Sequence, residues 1–197
     1  KLAVFCNVLP NNCISAPDVA SIYEIPIRLD KENLGNKILK VFHLPARKTD
    51  LKPWLDLNKK IADGKKEVKI AVVGKYFGTG NYTLSDSYIS VIEAIKHASW
   101  FNSVSPKLEW IDSEDFEKNN TEVKKLGNYD GLIVPGGFGA RGIEGIIAAI
   151  KYARENKMPY LGLCYGMQLA CIETARNVLN LKDANTVEVN PDTKNPI

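Results

Sequence analysis

The sequence is short of histidine and methionine, and it has no long apolar run. Two of its 197 residues are histidine and two are methionine. No stretch approaches the roughly 20 consecutive apolar residues of a membrane-spanning helix. The formal net charge of +3 is too small to indicate a nucleic-acid-binding surface. We therefore expect neither a membrane nor a nucleic acid as a partner.

Cysteine is also scarce, and its spacing does not suit a metal site. The four cysteines form no C-x-x-C pair and have no histidine near them in the sequence, which predicts that no metal is bound. The chain begins Lys1-Leu2-Ala3 and carries no secretory signal, so we expect reduced thiols in the cytoplasm. Cys171, seven residues after Cys164, is expected to lie in the core.

Residues 162–166 read Gly-Leu-Cys-Tyr-Gly and follow an apolar run. Glycines two positions before and after a nucleophile are typical of the nucleophile elbow, a strained strand-to-helix turn where larger side chains would clash. The next residues are good helix formers, so Cys164 is predicted near a helix N-terminus, which favours the reactive thiolate. The alternative is a small buried cysteine without catalytic function.

A second glycine-rich turn lies about 27 residues upstream. An apolar strand, Leu132–Val134, leads into Gly136 and Gly137. Such a turn can direct backbone N–H groups at an anion, and cysteine attack on a carbonyl needs donors for the oxyanion. A plain strand-to-helix connection or a phosphate loop remains the alternative. The two turns together predict a cysteine nucleophile with an oxyanion site.

Strands alternate with helices from residue 67 onward. Apolar runs predict strands at 69–74, 107–112, 132–134 and 159–163, and apolar periodicity predicts helices at 86–100 and 145–155, with Ser113 capping a further helix. This order predicts an α/β fold with a doubly wound, mostly parallel sheet. Functional residues in such sheets lie at the carboxyl ends of the strands.

The first 66 residues are organised differently. An apolar strand is predicted over Leu2–Val8 and an amphipathic helix over Leu34–Phe42, followed by a polar stretch with a short helix near Trp54. We divide the chain into 1–42, a linker at 43–66, and a domain at 67–197.

Several strings resemble known proteins. Residues 162–168, Gly-Leu-Cys-Tyr-Gly-Met-Gln, resemble the nucleophile segment of class I glutamine amidotransferases, and residues 135–139 resemble their oxyanion strand. Other strings narrow the resemblance to the CTP synthase family; they lie at 73–76, 84–94, 141–145 and 183–186. Residues 1–8 and 21–23 are similar to the end of that family's synthetase domain.

This resemblance implies the amination of UTP to CTP. A glutaminase domain releases ammonia from glutamine, and a synthetase (amidoligase) domain uses ATP, with Mg, to activate the uracil. Residues 1–42 would then end the synthetase domain, and 67–197 would begin the glutaminase domain of the amidotransferase fold. The family further implies GTP as activator, CTP as product and a homotetramer.

The resemblance also assigns residues. Cys164 is the nucleophile, and the N–H groups of Gly137 and Tyr165 form the oxyanion hole. Gln168 and Glu188 contact substrate glutamine, with Glu188 taking its α-ammonium. The remaining assignments concern nucleotides: Lys1 and Phe5 for the pyrimidine nucleotide, Asp18 and Val19 for the ATP adenine, and Phe138, Arg141 and Gly142 for the lid used in GTP activation. Arg141 is expected to contact either GTP or a neighbouring carboxylate.

The sequence departs from the family in three respects. The triad histidine and glutamate of a late His-Pro-Glu segment are not found, and His43 and His97 both precede Cys164; we expect His43 in the linker and His97 on a helix surface. No G-x-x-x-x-G-K-[ST] phosphate loop occurs. Tyr165 replaces a common leucine. We therefore expect a middle segment of a longer enzyme, inactive by itself in glutamine hydrolysis.

Two other functions stay open on the sequence. One is a different class I glutamine amidotransferase, or a cysteine hydrolase on the same sheet. The other is a non-catalytic segment that serves as a scaffold or assembly interface; the missing histidine keeps this alternative open.

Overall fold

The computed structural model describes residues 1–64, 66–75, 78–79, 82–83 and 88–197. The chain divides into two compact units, Lys1–Gly64 and Lys65–Ile197. None of the helices in these described ranges has the length and apolar character that a membrane span requires.

The described elements of the first unit are helices and turns. The α-helices are α1 (Leu2–Phe5), α2 (Ile25–Lys31), α3 (Leu34–Val41) and α4 (Lys52–Asp63), with 3-10 turns at Pro10–Asn12 and Ile22–Glu24. The Asn58 side chain on α4 donates a hydrogen bond to the Tyr23 carbonyl at 2.7 Å. The helices predicted around 34–42 and near Trp54 are confirmed.

The strand predicted over Leu2–Val8 is wrong, because these residues begin with the short helix α1. The side chains of Leu2, Val4 and Phe5 are 64%, 82% and 86% exposed. A strand needs a neighbouring strand for its N–H and C=O groups, and the described residues of this unit form none. A helical turn satisfies part of the backbone within the segment itself.

The second unit is built on a four-stranded parallel sheet. In chain order its strands are β1 (Lys66–Gly74), β4 (Val104–Asp112), β5 (Gly131–Val134) and β6 (Tyr160–Gly162); a separate antiparallel pair is formed by β2 (Gly78–Thr79) and β3 (Tyr82–Thr83). The order across the large sheet is β4-β1-β5-β6, and every pairing in it is parallel. The predicted fold class is thereby confirmed.

Four helices accompany this sheet: α5 (Ile89–Phe101), α6 (Ser113–Lys118), α7 (Ile143–Glu155) and α8 (Tyr165–Asn177), with a 3-10 segment at Asn120–Asn128. The predicted start of α5 at Asp86 lies outside the described residues. Buried apolar residues of β5, α7 and α8 form one core, among them Leu132, Val134, Ile146, Ile150, Leu169 and Ile172. Inside it Glu173, 1% exposed, receives a bidentate ion pair from Arg154.

Two side chains differ from the prediction. Asp112, not Ser113, caps α6, because its carboxylate accepts the Glu114 N–H at 2.9 Å. Ser113 is fully buried, and its hydroxyl has no hydrogen-bond partner among the described residues. Cys171 is exposed and does not lie in the core. Seven residues are about two helical turns, so Cys171 follows the exposed Cys164 on the same side of α8.

Candidate active site

The carboxyl ends of the parallel strands bring four sequence segments to one edge of the sheet. Gly74 pairs with Asp112, and Val134 pairs with Gly162. Lys75 therefore follows β1 at the same edge at which the glycine-rich turn follows β5 and Cys164 follows β6. This is the edge at which open α/β sheets bind their ligands.

Cys164 has the strained backbone of a nucleophile elbow. Its dihedral angles are φ 51° and ψ −104°, and it is the N-cap residue of α8. Leu163 donates its N–H to the Val134 carbonyl at 2.9 Å, and Gly166 donates to the Leu163 carbonyl at 3.0 Å. The thiol is exposed and has no hydrogen-bond partner among the described residues. The turn therefore presents the sulfur to solvent at the start of a helix.

The glycines that flank Cys164 are required by close packing. A Cβ on Gly162 would lie 2.6 Å from the Met167 nitrogen, and a Cβ on Gly166 would lie 2.9 Å from the Val134 Cβ. Real Cβ atoms essentially never come this close. The steric reason that the sequence predicted for both glycines is confirmed.

The Gly136-Gly137 turn lies directly beside the elbow. A Cβ on Gly136 would be 3.6 Å from the Cys164 Cβ. The Tyr88 hydroxyl donates a 2.9 Å hydrogen bond to the Gly136 carbonyl. The peptide is trans, so the Gly137 N–H points away from that carbonyl. Tyr88 thus fixes the direction of the Gly137 N–H, one of the two oxyanion donors that the resemblance assigns.

Gly139, two residues further on, is held by three side chains. Its N–H donates to Glu188 Oε1 at 3.0 Å. Its carbonyl accepts hydrogen bonds from Lys75 Nζ at 2.5 Å and from the Tyr165 hydroxyl at 3.0 Å. The φ of 80° at Gly139 is a conformation that residues with side chains rarely adopt.

Lys75 is the buried cation of this region. It is 4% exposed, and its Nζ lies 5.0 Å from the centroid of the Tyr165 ring. Burial lowers the pKa of Lys75 below its ordinary value, and the Arg141 cation lowers it further, while Glu188 and Glu117 act in the opposite direction. Arg141 donates to the Lys75 carbonyl at 2.5 Å.

The other assigned residues of this unit lie around the same loop. Arg141 pairs with Glu114 at 2.9 Å, so it contacts a carboxylate, one of its two expected partners. Phe138 is 71% exposed, and Gly142 has φ 72° as the N-cap residue of α7. Gln168 is exposed in the first turn of α8, where its N–H donates to the Cys164 carbonyl at 3.1 Å.

The first unit brings together two of its four assigned residues. Asp18 and Val19 line one cleft of about 490 Å³, whose other lining residues are Ser15, Ala16, Pro17, Ile22, Ile25, Arg28 and Leu29. Lys1 and Phe5 do not line it. Phe5 is 86% exposed on α1.

Neither histidine is hydrogen-bonded to Cys164. His97 is exposed on α5, and its ring centroid lies 5.2 Å from that of Trp100, which confirms its expected place on a helix surface. His43 is exposed in the first unit. Across the described ranges, no group of three or more His, Cys, Asp or Glu side chains could hold a metal ion.

Sequence reasoning missed the roles of Lys75, Tyr88 and Glu114. Lys75 carried a readable signal, since it follows an apolar strand directly and so falls at the carboxyl edge of the sheet. Tyr88 and Glu114 carried none, because their partners Gly136 and Arg141 lie 48 and 27 positions away in the chain.

Comparison with known proteins agrees with this geometry. The family model of glutamine amidotransferase class-I matches residues 83–195. CTP synthases of Sulfolobus acidocaldarius and Thermococcus gammatolerans are 50% and 48% identical over the whole chain, which covers 36% of each. The chain therefore spans about a third of the length of these curated relatives.

A solved structure is also similar. It is the glutaminase domain of Trypanosoma brucei CTPS with bound acivicin, with a TM-score of 0.59 and 40% identity, covering 65% of this chain and 48% of that one. Together with the parallel sheet and the strained cysteine between its two glycines, these matches show that the chain belongs to the class I glutamine amidotransferases and, along its whole length, is similar to CTP synthases.

Proposed function

We propose that the full-length protein makes CTP from UTP, ATP and glutamine, and that the second unit supplies the ammonia. The observation that carries this proposal is the elbow at Cys164, with φ 51° at the N-terminus of α8 and Gly136 packed beside it. A strained, exposed cysteine next to a glycine-rich turn suits attack on a carbonyl carbon. The CTP synthase relatives supply the reaction in which that ammonia is consumed.

In this proposal the Cys164 thiolate attacks the side-chain amide carbon of glutamine. The carbonyl oxygen becomes an oxyanion, which accepts hydrogen bonds from the N–H groups of Gly137 and Tyr165. The amide nitrogen then takes up a proton, the C–N bond breaks, ammonia leaves, and a thioester remains on the sulfur. Water hydrolyses the thioester to glutamate and regenerates the cysteine. The family uses the histidine of its His-Pro-Glu segment for these proton transfers, a role for which neither His43 nor His97 is placed.

One acidic and one amide side chain, those of Glu188 and Gln168, are proposed to bind the substrate. Glu188 accepts the Gly139 N–H through Oε1, which holds its carboxylate beside the loop, where it would pair with the α-ammonium of glutamine. Gln168 lies one turn after Cys164 on α8. The similar glutaminase domain of Trypanosoma brucei CTPS has acivicin bound, which supports a small-ligand site on the second unit here.

The first unit is proposed to contribute to the nucleotide sites. Asp18 and Val19 line an apolar-sided cleft with Arg28, which suits an adenine ring and a nearby phosphate. Lys1 and Phe5 are proposed to contact the pyrimidine nucleotide. ATP, with Mg, and UTP would be substrates, and ammonia would displace the phosphate from the activated uracil. GTP would activate glutamine hydrolysis through the loop of Phe138, Arg141 and Gly142. We further propose a cytoplasmic homotetramer; four unpaired cysteines suit a reducing compartment.

The test is a pair of assays on the full-length protein. Cys164→Ala should abolish CTP formation with glutamine and should retain it with free ammonia, because the nucleophile serves only ammonia release. Cys171→Ala, seven residues further along α8, is the matched control and should keep both activities. Retained glutamine-dependent synthesis in Cys164→Ala would refute the assignment. An absence of ammonia-dependent CTP formation in the unmutated protein would favour a different class I amidotransferase.

A further inference from the structure

The side chain of Tyr165 contacts the loop that carries Gly137. The residue after the nucleophile is expected to act through its backbone N–H, yet its hydroxyl also donates a 3.0 Å hydrogen bond to the Gly139 carbonyl. Lys75 Nζ donates to the same carbonyl at 2.5 Å. The two side chains also contact each other, with Nζ 5.0 Å from the Tyr165 ring centroid, an arrangement that favours the cation.

These contacts complete the restraint of the loop on both sides of Gly137. Tyr88 holds the Gly136 carbonyl before it, and Lys75 and Tyr165 hold the Gly139 carbonyl after it. Because it has no side chain, Gly139 adopts a positive φ and has access to backbone conformations that other residues avoid. An unrestrained loop could therefore turn the Gly137 N–H away from the oxyanion. Hydrogen bonds from Tyr88, Lys75 and Tyr165 therefore restrict a loop that its glycines would otherwise leave flexible.

Tyr165 also connects the two halves of the oxyanion site. Its N–H belongs to the first residue of α8, next to Cys164, while its hydroxyl reaches the loop of the second donor. The Tyr165 side chain is buried, with 2% exposure for the residue. Its ring therefore links the start of α8 to the Gly139 carbonyl, two residues after Gly137.

We propose that Tyr165, through its hydroxyl, and Lys75, through its ammonium group, are positioning residues for glutamine hydrolysis, because they hold the Gly137 N–H where the oxyanion forms. This proposal rests on the proposed function. It adds two side chains that touch neither glutamine nor sulfur and that act through the Gly139 carbonyl. Misplacement of a group in an active site by about 1 Å can cost up to about 100-fold in rate.

The experiment compares Tyr165→Phe and Lys75→Met with the unmutated full-length protein. Each variant should lower kcat for glutamine hydrolysis about 10-fold or more, with little change in KM, since the oxyanion exists only after the substrate is bound. Ammonia-dependent CTP synthesis should not change. The double variant should lose less than the product of the two single losses, because both side chains act on one carbonyl.

Alkylation of Cys164 by iodoacetamide separates positioning from simple damage. That reaction displaces iodide at a tetrahedral carbon and forms no oxyanion, so both variants should alkylate at the unmutated rate. Tyr129→Phe is the matched control: it removes a tyrosine hydroxyl that bonds Glu109 at 2.6 Å, away from the loop, and should keep full glutamine turnover.

The outcomes distinguish the inference from the function on which it rests. If Cys164→Ala is inactive with glutamine while Tyr165→Phe and Lys75→Met match the unmutated kcat, the positioning proposal is wrong and the proposed function stands. If Cys164→Ala stays active with glutamine, the proposed function itself fails. An equal loss of glutamine turnover and of iodoacetamide reactivity would show general damage to the elbow and would overturn the proposal. Should Lys75→Met fail to fold, Tyr165→Phe alone decides.

Discussion

Cys164 adopts a backbone conformation, φ 51° and ψ −104°, that costs of the order of 1–3 kcal/mol in a residue with a side chain. The hydrogen bonds of Leu163 and Gly166 and the close packing of Gly166 on Val134 hold it there. At the scale of the residue, the proposed active groups of this site are a strained cysteine and two backbone N–H groups. Tyr88 bonds the Gly136 carbonyl, and Lys75 is proposed to help hold the same loop.

The sequence could predict this residue-scale picture in part. The spacing of Gly162, Cys164 and Gly166 follows from local sterics, so it can be read from five consecutive residues. The contact between Lys75 and Gly139 spans 64 positions, and no local pattern encodes such a pairing. The hydrogen bond from the Tyr165 hydroxyl to the Gly139 carbonyl spans 26 positions, so the local sequence does not encode it either.

A first prediction at this scale concerns Arg141. Its guanidinium joins Glu114 and the Lys75 carbonyl, so it connects the lid loop to the carboxyl edge of the sheet. Arg141→Ala in the full-length protein should reduce GTP-stimulated use of glutamine and should leave ammonia-dependent CTP synthesis unchanged. Both rates are measured with and without GTP. An equal loss of both would indicate a folding defect, and no loss of either would show that Arg141 is an ordinary loop residue.

A second prediction concerns pH. Burial, followed by the Arg141 cation, lowers the pKa of Lys75 from 10.5, so the folded chain binds fewer protons than the unfolded chain between that lowered pKa and 10.5. Stability rises with pH wherever the unfolded state binds more protons. The free energy of unfolding of the unmutated chain, minus that of Lys75→Met, should therefore increase as pH rises through this window.

Urea titrations at several pH values from neutral to about 10 test this. Lys151→Met, at a half-exposed lysine, is the control, and its difference in unfolding free energy from the unmutated chain should not change with pH. If the difference for Lys75→Met stays constant or falls as pH rises, Lys75 is not a cation with a lowered pKa in the folded chain.

At the scale of elements, helices α7 and α8 are joined by a charge pair in which the Glu173 carboxylate is buried and the Arg154 side chain is 37% exposed. Arg154 makes two hydrogen bonds of 2.8–3.1 Å to Glu173 Oε1 and one of 3.0 Å to Oε2, and Glu173 is 1% exposed. The arrangement fixes the start of α8 indirectly, because that helix cannot slide along α7 without separating the ions. The elbow at Cys164 is thus held from the far end of its helix as well as from the sheet.

Removal of the Arg154 guanidinium should lower the stability of the chain. Arg154→Leu would leave the Glu173 carboxylate buried without its partner and should lower the free energy of unfolding by about 3 kcal/mol. Lys151→Leu is the matched control on the same helix: its pair with Glu155 is exposed at 4.0 Å, and its loss should change stability by less than about 0.5 kcal/mol. If chemical denaturation shows the same loss of unfolding free energy in both variants, the structural role of the pair between Arg154 and Glu173 is contradicted.

The elements themselves were predicted unevenly. The strands of the sheet were found because buried parallel strands are continuous apolar runs, as in β1 and β5. The same signal failed for Leu2–Val8, since a short apolar run does not distinguish a strand from a helix until its neighbours are known. The cap of α6 is Asp112 and not Ser113 because the helix begins at Ser113, one residue earlier than predicted, and the Asp112 carboxylate accepts the Glu114 N–H.

At the scale of the whole molecule, the chain is two compact units that match about a third of the length of CTP synthases. The second unit contains a proposed nucleophile, two proposed oxyanion donors and a proposed substrate carboxylate. Within the described residues the Cys164 thiol has no hydrogen-bonded base. The proposed hydrolysis of glutamine therefore needs a base in addition to the groups that the described residues bring to Cys164.

This gives a prediction for the 197-residue chain alone. It should not hydrolyse glutamine at a useful rate, because loss of the catalytic base typically costs several orders of magnitude. Ammonia release is measured from the purified chain and compared with the full-length protein at equal concentration. Turnover close to that of the full-length protein would show that a base has been overlooked, and His97→Ala would then identify or exclude the histidine on α5.

The central claim is that Cys164 attacks the side-chain amide carbon of glutamine, and a covalent trap tests it most directly. The full-length protein is treated with a glutamine analogue that carries a chloroketone in place of the amide, and the modified peptide is identified by mass spectrometry. The account predicts one adduct, on the peptide that contains Cys164, whose formation excess glutamine prevents. An adduct on Cys171 or another cysteine, or a rate at Cys164 that glutamine does not slow, would contradict it.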